Sequence, residues 1–148
     1  MQPDIKNDLT YLLRILESVH KVILYTEEYN NVIDFFFANN QKDFNASLML
    51  FINVGEQTTR IDESLKSRHT NIPWQIMKDF RNRVAHDYAG LDTFKVFDII
   101  KNHLPLLREQ IENVIGVELN DQNFLREELD IAKQSKYYKN IDFKRLEE

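Results

Sequence analysis

The chain has no cysteine at all among its 148 residues. That excludes a disulfide framework, a thiolate metal site and a cysteine nucleophile together, and it fits the reducing cytoplasm where the protein is expected to work. Glycine and proline are scarce, three of each, which leaves few turn residues for a β-rich protein. No apolar run approaches the ~20 residues that a membrane-spanning helix needs. The opening MQPDIKNDL is polar, so neither a secretory leader nor a membrane partner is expected. The histidines at 20, 69 and 103 show no ligand spacing with acids, so no metal and no cofactor is expected. A formal net charge of −5 argues against a general polyanion-binding surface.

What is present is helix-forming sequence with an ordinary soluble balance, 43% hydrophobic and 29% charged. One domain of this length buries ~70% of the surface its unfolded chain would expose. Apolar residues at Leu9, Leu12, Leu13, Leu16, Val19 and Val22 predict a first helix over about Asp4 to Tyr25. A short helical piece follows over Asn31 to Phe37 and stops at Asn39-Asn40. Its three consecutive phenylalanines, Phe35 to Phe37, cannot all face one core, because helix neighbours differ by ~100°. A third helix is predicted over Phe44 to Leu65. Gly55 inside it costs ~1 kcal/mol relative to alanine, which close approach of another helix would compensate. Pro73 starts a fourth helix through Phe80 and Val84, Asp92 caps a fifth, and Pro105 kinks or restarts the last long segment, predicted to stop at Gly116. The expected fold is an all-α antiparallel helical bundle over residues 1–116, with a partly helical C-terminal extension over 117–148.

The charge is uneven. Lys66 to His86 carries five Lys/Arg against one acid, a local +4, while the remainder is −9. That island ends in RNRVAHDY, Arg81 to Tyr88. A histidine gives and takes protons near neutral pH, and an arginine fork stabilises charge on phosphate oxygens. An asparagine, here Asn82, can orient a phosphate or a 2′-hydroxyl. These groups suit phosphodiester cleavage in which the RNA supplies its own nucleophile. Five residues along an unbroken helix nevertheless place Arg81 and His86 ~140° apart. They can share a site only if the helix loosens near His86 or a second copy contributes. From spacing alone, a polar helix end with a solvated histidine is the more natural reading.

The stretch NIPWQIMKDFRNRVAHDYAGLD, Asn71 to Asp92, resembles the signature of the HEPN superfamily, specifically its HepT-like branch: Arg81, four residues, His86, one residue, Tyr88. FINVGEQTTRI and IIKNHLPLLREQI resemble the neighbouring helices of that branch, so the likeness spans about residues 1 to 115. Gln57-Thr58-Thr59 departs from the small residues usual there. The resemblance implies the toxin of a type VII-like toxin–antitoxin system: a metal-independent endoribonuclease, with tRNA one candidate substrate. It implies Arg81, His86 and Asn82 as catalytic residues and a homodimer whose two motifs line one cleft. Arg83 and Lys78 are candidate RNA-phosphate contacts. The implied partner is a cognate nucleotidyltransferase antitoxin of the MNT fold, which attaches AMP to Tyr88. The alternative is a catalytically silent HEPN module that binds RNA or nucleotide, or serves dimerisation. Trp74 is read as core rather than a stacking platform, Glu56 as either site-proximal or solvated, and Tyr137-Tyr138 as docking the tail onto the bundle.

Overall fold

A computed structural model describes residues 7–147. Among them every regular element is helical: α1 (Asp8–Thr26), α2 (Val32–Arg60), α3 (Glu63–Arg68), α4 (Trp74–His86), α5 (Thr93–Asp98), α6 (Leu104–Asn120), α7 (Arg126–Ala132) and α8 (Phe143–Leu146). The predicted start of the first helix, at Pro3 and Asp4, lies outside the described residues. Asn7 caps α1, its side-chain oxygen accepting from the Thr10 amide at 3.2 Å. α1 packs on α2 and α6, and α4 packs on α2. Leu12, Leu13, Leu16 and Val19 of α1 lie in one core with Leu48 and Phe51 of α2, Ile111 and Ile115 of α6, and Leu129 of α7. None of the described helices is long and apolar enough to cross a membrane.

The predicted break at Asn39-Asn40 is present as a sharp bend within α2. Ala38 is extended, and Asn39, Asn40 and Gln41 all have positive φ. Asparagine is among the few residues that enter that region readily. The three phenylalanines part company as their spacing requires: Phe35 is fully buried, Phe36 half-buried and Phe37 exposed. The lower part of α2 stops at Arg60, short of the predicted Leu65. Ile61 turns extended and buries its side chain, and the Asp62 amide donates to Asp8 at 3.2 Å. Asp92 caps α5 by accepting from the amides of Phe94 and Lys95. Ahead of Pro105 the chain widens into a π turn over Ile99–His103, and the α-helix restarts at Leu104. A π turn absorbs the hydrogen bond that proline cannot donate.

Gly116 does not end α6, which runs on to Asn120. The extension carries Glu118 into a buried cluster. Its carboxylate accepts from Arg68 (2.6 Å at Nη2), His69 Nε2 (2.8 Å) and Asn123 (3.0 Å). Burial alone would raise the Glu118 carboxyl, but the hydrogen bonds from Arg68, His69 and Asn123 outweigh it and hold the group below the ordinary carboxylate value. The cluster joins the α3–α4 turn to the end of α6. It also removes Arg68 from the basic island counted in the sequence.

Glu118 titrates lower in the folded chain than in the unfolded one. Its stabilising contribution is therefore fully present above the unfolded value of ~4.3 and disappears as pH falls through the lower folded value. Glu118→Gln should cost about 3 kcal/mol at pH 7, the low end for a broken buried pair, since Arg68 retains solvent access. Urea unfolding should show the gap between wild type and variant closing below pH ~4. A gap that persists at low pH would show that the carboxylate charge is not what holds this turn.

Candidate active site

Gly55 sets the geometry of the site. It is buried, and a Cβ built there would lie 2.6 Å from Arg81 Cγ, closer still to Arg81 Cβ, and 3.2 Å from the Met77 carbonyl oxygen. Only a residue without a side chain lets α4 cross α2 this closely. The crossing seats the Arg81 stem in the notch and brings the guanidinium beside Glu56, the next residue of α2, with which it forms an ion pair. The second terminal nitrogen, Nη1, donates to Asn82 Oδ1 at 3.0 Å. Arg81 Nε is buried and has no hydrogen-bond partner among the described residues. The fork is thus fixed at both tips by Glu56 and Asn82, while the arginine side chain stays about a quarter exposed.

His86 is the last residue of α4 and is exposed. The helix stays regular through it and yields only at Asp87, where φ is −143° and ψ 52°. The loosening before His86 that would swing it toward Arg81 is therefore absent. Within one chain the two groups remain ~140° apart around α4 and ~7.5 Å apart along its axis. Beyond Asp87, Tyr88 to Gly90 form a single 3-10 turn. The Tyr88 hydroxyl donates to Asn45 of α2, and its ring meets Phe44 edge-on at 6.3 Å. Tyr88 is 49% exposed. Lys78 and Arg83 are exposed on α4, and neither makes an ion pair among the described residues. Trp74 is half-buried against the core, its indole N–H donating to the His69 carbonyl at 3.0 Å.

The structure thus brings Arg81 and Asn82 together, adds Glu56 to them, and sets His86 and Tyr88 at the far end of α4. Asn45 gave no signal in the sequence, because its contact with Tyr88 spans 43 positions. Among the described residues no group of three or more His, Asp or Glu side chains is arranged to hold a metal ion.

A family model described as "Ribonuclease HepT-like" matches residues 12–114. The chain belongs to the HepT-like ribonuclease family. A Methanocaldococcus jannaschii protein, MJ1380, provisionally named an RNase, is 30% identical over 106 residues, covering 70% of this chain and 93% of its own. A Thermococcus cleftensis protein provisionally named ribonuclease HepT is 29% identical over 101 residues, 67% of this chain and 91% of its own. A longer M. jannaschii protein, MJ0434, named as a gamma-glutamylcyclotransferase joined to a provisional RNase, is 27% identical over 137 residues. That covers 93% of this chain, which spans about half of the longer protein. No solved structure matches. The family match ends at residue 114, within α6, so the HepT-like region includes the whole of α2 and α4 and the turn that carries Tyr88.

The Gly55 notch makes a direct prediction. Alanine favours helix by ~1 kcal/mol over glycine. Gly55→Ala should nevertheless destabilise the protein by about 1–3 kcal/mol, as overpacking does, since the obstructing atoms are the Arg81 stem and the α4 backbone. A raised urea midpoint for the variant would show that α2 and α4 have room to spare.

Proposed function

We propose that this HepT-like protein is a metal-independent endoribonuclease acting as a homodimer, the toxin half of a toxin–antitoxin pair. The observation that carries this reading is the arginine fork of Arg81, pinned at both tips by Glu56 and Asn82, on the same helix as an exposed His86. Arg81 binds the non-bridging oxygens of the scissile phosphate, where charge builds up as the reaction proceeds. Asn82 orients the phosphate or the 2′-hydroxyl. The 2′-oxygen attacks phosphorus, the bond to the 5′-oxygen breaks, and the products are a 2′,3′-cyclic phosphate and a 5′-hydroxyl. His86 moves the proton, taking it from the 2′-hydroxyl or giving it to the departing 5′-oxygen.

The 140° separation of Arg81 and His86 supports a two-fold pairing, in which each phosphate meets Arg81 of one chain and His86 of the partner subunit. Arg83 and Lys78 contribute phosphate contacts outside the reacting centre, with tRNA among the candidate substrates. Glu56 acts as a positioning residue. It neutralises part of the arginine charge before RNA arrives, and it fixes the plane in which the fork meets phosphate.

Silencing falls to Tyr88. An antitoxin nucleotidyltransferase of the MNT fold, acting in the cytoplasm, joins the tyrosine oxygen to the α-phosphorus of ATP and releases pyrophosphate. The half-exposed tyrosine and a hydroxyl held by one asparagine support that role. The added AMP would place negative charge and bulk two residues from His86, where it repels RNA.

Incubation with total RNA in EDTA should yield cyclic-phosphate ends, and His86→Ala should lower the rate 10²–10⁴-fold with an unchanged circular dichroism spectrum. Cleavage abolished by EDTA, or retained in full by the variant, contradicts the mechanism. Tyr88→Phe should stay folded, keep at least part of the nuclease activity and escape the antitoxin on co-expression. Intact mass after incubation with that enzyme and ATP should rise by one AMP in wild type, with none at this position in the variant. AMP mapped to another residue would remove Tyr88 from the scheme.

A further inference from the structure

A groove of about 560 Å³ runs between the end of α2, α3 and the start of α4. Two lysines from separate elements line it, Lys66 of α3 and Lys78 of α4, together with Trp74. The lysines belong to the basic island of the sequence, and the fold turns both toward one concavity. Trp74 is packed on the core on one side and faces the groove on the other. Its indole hydrogen bond to the His69 carbonyl at 3.0 Å holds the ring in place. The one carboxylate in the lining, Glu63, stands at the rim with its side chain 88% exposed, 3.7 Å from the Lys66 amine. A phosphate can displace it at small cost, because a carboxylate that exposed, 3.7 Å from the amine, contributes little even though the Lys66 side chain is only 15% exposed.

The groove and the site are built on the same two helices, α2 and α4. Around α4, Trp74, Lys78 and Arg81 fall within ~60° of one another, and Arg81 lies ~10 Å along the axis from Trp74. On α2, Thr59 lines the groove one turn beyond Glu56. An aromatic side chain fixed by its own hydrogen bond, in one groove with two cations and on the same face of α4 as Arg81, matches what single strands need: stacking for a base and positive charge for the backbone.

We propose that this groove is a second RNA subsite, which stacks an unpaired base on Trp74 and seats its flanking phosphates on Lys66 and Lys78. The subsite holds the strand on the side of Arg81 away from His86 and so favours single-stranded RNA over duplex. This rests on the ribonuclease reading above.

Trp74 is the single tryptophan of the chain, so its fluorescence reports on the groove alone. The test uses the full-length His86→Ala protein, which holds RNA without cutting it, and a twelve-nucleotide unstructured RNA. Tryptophan emission should be quenched saturably. Lys66→Ala with Lys78→Ala should raise Kd roughly tenfold and reduce the slope of log Kd against log salt by about 1.4, the share of two phosphate contacts on a single strand. Lys78→Ala alone, at an exposed position, carries the test if the half-buried Lys66 stem proves necessary for folding. Binding by anisotropy with unchanged emission, and with wild-type affinity in the lysine variants, overturns the subsite and leaves the ribonuclease reading standing. Equal quenching by inorganic polyphosphate overturns base stacking. Wild-type protein that neither binds nor cleaves any RNA removes both readings.

Discussion

The close crossing of α2 and α4 at Gly55 is the contact on which the site depends. A helix pair is ordinarily held apart by side chains on both surfaces, at 8–10 Å between axes. Here one surface carries no side chain at the point of contact, and the stem of Arg81 fills the space. Three consequences follow from that packing. Arg81 loses rotational freedom before any substrate arrives. Its guanidinium is delivered to Glu56, the neighbour of the glycine. The rotation of α4 is set as well, so that Met77 and Val84 face the core while His86 faces solvent. The placement of the arginine and the exposure of the histidine are two results of one packing event.

The remainder of the chain braces this pair of helices. Glu118 ties the α3–α4 turn to α6, fixing where α4 begins. The segment after the family match belongs to the same core, through Phe124, Leu129, Ile141 and Leu146. It is also fastened by polar contacts. Glu17, buried on α1, accepts from the Asn140 amide at 2.9 Å and from its side chain at 2.8 Å, and Arg145 pairs with buried Glu112 at 3.1 Å. Buried carboxylates are tolerated only with such partners. Tyr138 and Phe143 pack edge-on at 6.3 Å, while Tyr137 stays exposed, so one of the two tail tyrosines docks.

The helices were legible wherever local chemistry decides them. Apolar spacing reads out α1, and Asn39-Asn40, Pro73 and Asp92 mark boundaries because each has a backbone or capping preference of its own. The errors fall where a distant group decides. α2 ends at Arg60 because Ile61 is drawn into the core, and α6 passes Gly116 because buried Glu118 has its partners about 50 positions away. The candidate site divides in the same way. Gly55 announces a close approach through its cost inside a helix, and Arg81, Asn82 and His86 stand together in the chain. That Glu56 meets Arg81, that Asn45 meets Tyr88, and that Arg68 is lost to Glu118 depend on helix crossings that no periodicity encodes.

The central claim is that the rotation of α4 fixed at Gly55 divides the catalytic groups between two chains. Complementation tests it directly. Arg81→Ala and His86→Ala are each purified, shown to be folded and inactive, then mixed, unfolded and refolded together. If every site takes Arg81 from one chain and His86 from the other, mixed dimers regain one intact site, and the preparation recovers about a quarter of wild-type activity. A mixture no more active than its two components would contradict a shared site and return both residues to a single chain.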